Sequence, residues 1–258
     1  MTSRRLMRYQ STQGLAEGVA HRLVQTIVRI QAAQERIDLC LTGGRIANIV
    51  YAAMEDVPEC AKIRPDQLHV WWGDDRFVPT GHPDRNSLQA LSLLSSAIRL
   101  DPSKTHVMPA ADGKADPDEA AYSYAQELGG VVFDICLLGM GTDGHVASLF
   151  PGHPSFNPTT AALAVGVTDA PKPPPDRLSV TMPVINRSKR VWFLVSGPEK
   201  AEAVEKVFAG DESLPATWAN GTIETSWMVD HDASIGLPRY NCSLLSLIHI
   251  SEPTRPLY

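Results

Sequence analysis

The chain has 258 residues, 43% of them hydrophobic and 20% charged, with a formal net charge of -6. That is an ordinary globular composition, long enough for one large α/β domain with a full core. The acidic balance argues against nucleic acid or an anionic membrane as the main partner, and any anionic small substrate must meet positive charge gathered locally.

In chain order, Met1 to Gln10 is basic and polar with no apolar signal-peptide core, and no apolar stretch is long enough to span a bilayer. The first helix is expected from about Leu15 to Gln34, because Val19, Leu23, Ile27 and Ile30 recur at helical spacing. Ile37 to Thr42 reads as a buried strand, broken by Gly43-Gly44, with a helix over Arg45 to Met54. Leu68 to Trp72 is the second strand, ending in the polar loop Gly73-Asp74-Asp75-Arg76. Asn86 is placed to cap the helix that carries Leu88, Leu91, Leu94 and Ile98. Pro102 to Pro117 reads as a loop, and Pro117 starts a helix through Leu128 with Asp116 as its cap.

Val131 to Leu138 is a third strand that runs into Gly139-Met140-Gly141-Thr142-Asp143-Gly144-His145. Ala161 to Val167, Leu178 to Met182, Val191 to Ser196 and Trp227 to Val229 read as further strands, and Glu199 to Phe208 as a helix started by Pro198. The prolines of Pro171 to Pro175 exclude helix and ladder strand. Alternation of β-rich and helical runs predicts an α/β fold, a mostly parallel sheet with helices on both faces. The domain is expected over 1–240. The tail 241–258 carries no cap or turn logic, and Leu247 to Tyr258 resembles translated library-adapter sequence, so it is set aside as foreign to the domain.

The four cysteines, Cys40, Cys60, Cys136 and Cys242, form no CxxC pair, so free thiols in a reducing, cytoplasmic compartment are the expectation. No HxH, HExxH or Cys/His cluster stands out, and neither a metal nor another cofactor is expected.

Three loops follow the carboxyl ends of expected parallel strands, where open α/β sheets bind ligands. Thr42 to Arg45 holds the Gly43-Gly44 turn, whose amides open a helix and suit an anion, although it is neither a P-loop nor a full GxGxxG and, taken alone, reads first as a plain tight βα turn. In Gly73 to Pro79, Arg76 suits bidentate phosphate contact, with a surface salt bridge to Asp74 or Asp75 as the bland alternative. In Gly139 to Pro151, Gly141 and Gly144 let the backbone crowd a substrate. His145 follows the last glycine and is placed to start a helix with its ring on the pocket, as a general base near neutral pH oriented by Asp143. Arg177 and Lys200 taken alone are compatible with plain surface charges. Ser148 has no GxSxG elbow around it, which disfavours a serine hydrolase.

These segments together resemble the 6-phosphogluconolactonase family, within the superfamily that includes glucosamine-6-phosphate isomerase/deaminases. The resemblance rests on Leu41-Thr42-Gly43-Gly44, on Val70 to Pro79, on Asp84-Arg85-Asn86-Ser87, and above all on Asp134 to Gly152. It continues through Arg177 to Asn186, Gly197 to Ala201 and Leu214-Pro215-Ala216. It implies a Rossmann-like fold and hydrolysis of 6-phospho-D-glucono-1,5-lactone, with His145 activating water. It also implies phosphate contacts at Gly43-Gly44, Arg76, Arg177 and Lys200, and Asp74, Gly141 and Gly144 are further candidate substrate- or phosphate-binding residues. Two departures stand out. Arg45-Ile46-Ala47 replaces the hydroxyl residue and proline that often follow the Gly-Gly turn, so Arg45 is either a further phosphate contact or a solvent-facing charge. Asp75 replaces the Glu of the usual Asp-Glu-Arg. The rivals are an isomerase/deaminase and a non-enzymatic sugar-phosphate sensor. The deaminases carry an acid within an Asn-Glu-Pro-type segment where this chain has Leu149-Phe150-Pro151. The expected partner is a small sugar phosphate, and the assembly a monomer or homodimer.

Overall fold

Alternating apolar runs and glycine breaks place the strands of this chain side by side, with their carboxyl ends at one edge. A computed structural model describes residues 4–113 and 116–238. The tail 241–258, with Cys242, lies outside the described residues. The elements are β1 (Arg4–Tyr9), α1 (Thr12–Gln31), β2 (Ile37–Leu41), α2 (Arg45–Ala53), β3 (Leu68–Trp72), β4 (Asp74–Arg76) and α3 (Asn86–Leu94). They continue with β5 (Thr105–His106), α4 (Pro117–Leu128), β6 (Ile135–Leu138), β7 (Ala164–Val167), β8 (Arg177–Val180) and α5 (Met182–Asn186). The last are β9 (Arg190–Val195), α6 (Ala201–Phe208), α7 (Pro215–Trp218) and β10 (Glu224–Asp230).

The main sheet has seven strands in the order β1-β10-β9-β6-β2-β3-β5, and every pairing in it is parallel. Its centre is buried on both faces: β2 and β6 are apolar runs without an exposed residue, apart from the buried Asp38. The expected stripe on α1 is buried at Val19, Leu23, Ile27 and Ile30. Ser11 caps this helix, accepting from Gly14 N at 3.1 Å, so it starts three residues earlier than its apolar spacing indicates. Asp116 caps α4 as expected, accepting from Asp118 N.

Several element boundaries shift, Met182 opens α5 instead of ending a strand, α7 is an unexpected helix, and five further changes bear on the sheets and the site. β1 lies in the basic N-terminal stretch where no strand was expected, paired with β10 at the sheet edge. Thr105–His106, expected within a loop, adds β5 at the other edge. Asp74–Arg76 is a strand rather than a loop, in a second sheet ordered β4-β8-β7 and antiparallel throughout. Asn86 does not cap α3 but is its first residue; its side-chain amide donates instead to the Asp74 carbonyl at 3.1 Å. His145 starts no helix: the segment 139–151 stays in turns, closed by a bridge between Val146 and Leu149.

Candidate active site

Chain order reverses direction at the centre of the main sheet. From β2 the chain steps to β3 and β5, then returns to place β6 on the other side of β2. The loops after β2 and β6 therefore diverge from adjacent strands and leave a crevice between them. Gly139 N donates to Thr42 Oγ1 across that crevice at 3.3 Å. A cavity of about 440 Å³ opens there, lined by loops following β2, β3, β6 and β9 and by the proline-rich segment before β8.

The β2 loop is held from below by Tyr51, whose hydroxyl accepts from Thr42 N at 3.1 Å and donates to Thr42 O at 2.8 Å. Gly43 lies against the Asn86 side chain, so tightly that a Cβ would overlap the amide group. Gly44 has φ 100° and opens α2 without a side-chain cap. The first-turn amides of α2 thus lack a side-chain acceptor, an arrangement that favours an anion. Arg45 is exposed and lines the cavity.

Beyond β3 the acidic pair divides its labour. Asp74 lines the cavity while its carboxylate accepts from Ser148 Oγ at 2.8 Å and more distantly from Asn86 Nδ2 at 3.4 Å. Asp75 is fully buried and accepts from Arg76 N, Asn86 N, Ser87 N and Ser87 Oγ, with Arg85 Nη2 at 3.0 Å. Its role is to fasten the segment 85–87 to β4. Burial pushes its carboxyl up, opposed by Arg85, Ser87 and the backbone donors. Arg76 lies directly opposite Arg177 in the β4–β8 pairing. Like charges face to face are unfavourable unless an anion joins them. Arg76 Nε is buried without an acceptor among the described residues, and Arg76 Nη1 donates to Asp84 O.

Arg177 is itself buried, with Nε on Pro174 O at 3.0 Å and Nη2 on Lys172 O and Pro173 O at 2.9 and 3.0 Å. Much of its donor capacity therefore holds the proline-rich loop rather than a ligand. Its guanidinium also lies 5.6 Å from the centre of the Phe150 ring, and that ring tilts against His145 at 4.6 Å.

His145 is brought to the cavity by a loop that only glycines allow. Gly141 N donates to His145 O at 2.9 Å, and a Cβ on Gly141 would strike the imidazole. Gly144 has φ 76° and does not line the cavity. It lies against Leu214, where a Cβ would sit 2.9 Å from the leucine Cβ, and its carbonyl accepts from Ala216 N at 3.0 Å. Its positive φ and its packing on Leu214 shape the turn that carries His145. Ala147, just past the histidine, holds φ 48°, a left-handed conformation that a residue with a Cβ adopts at a cost.

His145 Nδ1 lies 2.6 Å from Asp143 Oδ1. A carboxylate accepts, so the proton is assigned to Nδ1 and Nε2 is left with its lone pair. Burial pushes the Asp143 carboxyl up, but hydrogen bonds and charges from His145 and Lys172 outweigh it and hold it well below the usual carboxylate range. Asp143 contacts His145 and is not itself a cavity wall.

Lys200 stands in the 3-10 turn 198–200, after Gly197 at φ 99°. Asp230 anchors that turn by accepting from Gly197 N at 3.1 and 3.2 Å. Burial lowers the Lys200 ammonium, and the neighbouring positive charges of Lys172 and Arg45 lower it further. The cavity wall thus carries five cations, Arg45, Arg76, Lys172, Arg177 and Lys200, against the carboxylates of Asp74 and Glu199. In a chain of net charge -6, this wall is locally cationic.

Sequence reasoning missed Lys172. Its Nζ donates to Asp143 Oδ1 at 3.1 Å and lies 3.4 Å from His145 Nδ1. The available signal was a cation set between prolines shortly before Arg177. Among the described residues no group of three or more His, Cys, Asp or Glu is placed to hold a metal ion. No described helix is long and apolar enough to cross a membrane.

Comparison with known proteins places relatives around this geometry. Residues 10–227 match the model of the glucosamine-6-phosphate isomerases/6-phosphogluconolactonase family. A Streptomyces coelicolor protein named 6-phosphogluconolactonase is 41% identical over 248 residues, covering 91% of this chain and 95% of its own. A protein of the same name from Mycobacterium tuberculosis is 39% identical, over 87% of this chain and 94% of its own. The crystal structure of 6-phosphogluconolactonase from Thermotoga maritima superposes with a TM-score of 0.77 at 23% identity, covering 88% of this chain and all of that one, and shows the shared fold.

Proposed function

The chain belongs to the glucosamine-6-phosphate isomerase/6-phosphogluconolactonase family, and from that premise we propose that it hydrolyses 6-phospho-D-glucono-1,5-lactone to 6-phosphogluconate in the oxidative pentose phosphate pathway. The observation that carries this reading is the Asp143–His145 pair at 2.6 Å, its free Nε2 beside a cavity rich in cations.

The δ-lactone is an ester already reactive toward water, so the site needs positioning and one proton shuttle. Nε2 of His145 takes a proton as water attacks the ring carbonyl. The C–O bond to the ring oxygen then breaks, and the imidazolium returns the proton to that oxygen. Backbone amides of the glycine-rich loops stabilise the oxyanion. The phosphate is received by the first turn of α2 with Arg45 and Lys200, and by Arg76 and the remaining capacity of Arg177. Held far from the carbonyl, it supplies the orienting energy. Asp74 faces sugar hydroxyls, since a carboxylate is a poor phosphate partner. Ser148 is fully buried with its hydroxyl spent on Asp74, which leaves water as the nucleophile.

The isomerase/deaminase alternative is less supported: the segment after His145 holds no acid through Pro151. The site suits a cytoplasmic sugar phosphate, and the buried free thiols of Cys40, Cys60 and Cys136 suit a reducing compartment. A monomer or homodimer is proposed as the working assembly.

The test is consumption of freshly prepared phosphogluconolactone, followed above its spontaneous hydrolysis. Turnover is expected with no ammonia released from glucosamine 6-phosphate. Binding without turnover would support a sensor and sink this reading.

A further inference from the structure

Asp143 Oδ1 serves two donors at once. The imidazole Nδ1–H reaches it at 2.6 Å and the Lys172 ammonium at 3.1 Å. Because both point at one oxygen, the ammonium and the Nδ1–H lie side by side, 3.4 Å apart. Two donors facing each other make no hydrogen bond, so that contact is electrostatic. With the imidazole neutral the three groups sum to zero charge. With the imidazole protonated they sum to one positive charge, and two cations crowd one carboxylate.

We propose that Lys172 is a positioning residue of this reaction: by sharing Asp143 with His145, its ammonium keeps the ring uncharged at rest and drives the proton taken from water onward to the leaving oxygen. This inference rests on the proposed hydrolysis and deepens it. A carboxylate alone beside an imidazole stabilises the imidazolium, which helps the first proton transfer and hinders the second. A lactone needs both, because the proton removed from water must reach the ring oxygen. A third charge on the same carboxylate balances the two steps.

The fold builds this arrangement from separate elements. Lys172 comes from the proline-rich segment, whose carbonyls at 172, 173 and 174 are held by Arg177 of β8. The Phe150 ring lies between that guanidinium and His145. From the turn after β9, the Lys200 ammonium interacts with both Lys172 and Asp143. Arg45 of α2 and Arg76 of β4 add positive charge to the cavity wall, and Asp74 and Glu199 negative charge. Lys172 is the cation among these that is hydrogen-bonded to the carboxylate holding His145.

The test is the titration of the His145 imidazole by NMR in the ligand-free protein, with Lys172→Met, Lys172→Gln and Lys172→Arg beside the wild type. In both uncharged variants the midpoint is expected to rise by about one pH unit, and Lys172→Arg to stay near wild type. In turnover, the acid limb of kcat/KM should move with the NMR midpoint while KM for the lactone changes little. An unmoved midpoint in the uncharged variants, or an equal shift in Lys172→Arg, would overturn the proposal. So would a large rise in KM with the acid limb in place, which would make Lys172 a phosphate ligand. The imidazole titration does not depend on turnover, so failure of the hydrolase reading and failure of this one give different results.

Discussion

Asp75 and Asp143 both follow main-sheet strands and both meet cations, yet they do opposite things. Asp75 is fully buried, and Arg85, its partner, is 2% exposed. Four further donors from 76, 86 and 87 complete its shell. Nothing remains free for a ligand, and the pair serves as a rivet. Asp143 stays about one-third exposed, and His145, which it orients, keeps a nitrogen for chemistry. The difference is not in residue type but in saturation. A carboxylate whose acceptor sites are all filled by its own fold builds structure, and one whose partner retains an open site builds a mechanism.

That contrast can be broken by experiment. The largest effect belongs to the open pair: His145→Ala should lower kcat by about 10²–10⁴-fold with the fold intact, measured on the phosphogluconolactone. A variant turning over at the wild-type rate would remove the histidine from the mechanism. In the closed pair, Asp75→Ala strands the buried guanidinium of Arg85. Denaturant unfolding should register a loss of about 3–5 kcal/mol, and a loss within a few tenths would show that the ion pair is not a rivet. At the cavity wall, Lys200→Ala should raise KM for the phosphorylated lactone by about 10-fold or more, with kcat less affected, because a charged hydrogen bond to the phosphate is removed.

The smallest effect concerns pH. The folded Asp143 carboxyl lies below its ordinary value. It therefore adds stability above the unfolded carboxylate pKa of about 3.9, and that stability is lost as pH falls through the folded value. The stability gap between wild type and Asp143→Asn should be present at neutral pH and shrink as pH drops below about 4. A gap that stays constant into acid would mean that His145 and Lys172 do not hold that charge in the folded state.

Much of the molecule is legible in its sequence. Leu68 to Trp72 is a strand at the boundaries its composition indicates, and α4 begins where Asp116 and Pro117 place its start. The glycines at 43, 44, 141 and 144 were read as permissive turns, and each occupies a position where a Cβ or a negative φ would not fit. β1 was missed because an edge strand carries three arginines toward solvent and water and shows no continuous apolar run. β4 was missed because Asp-Asp-Arg has no strand propensity; its extension is imposed by pairing with β8. Asn86 carries the composition of a cap but spends its amide on Asp74, since a nearby strand offered a carbonyl that the helix start did not require.

By itself, the sequence determined the central apolar strands and the longer helices, where glycine lets the backbone turn, and that one histidine stands at a glycine-rich strand end. Those properties follow from dihedral restriction and the burial of apolar faces, and both act over a few residues. Only the tertiary structure decided which of two adjacent aspartates is sealed and which faces the cavity. It also brought Lys172 to Asp143 across 29 positions of chain. Charges interact through space and through whatever solvent remains between them, and a one-dimensional pattern carries neither quantity.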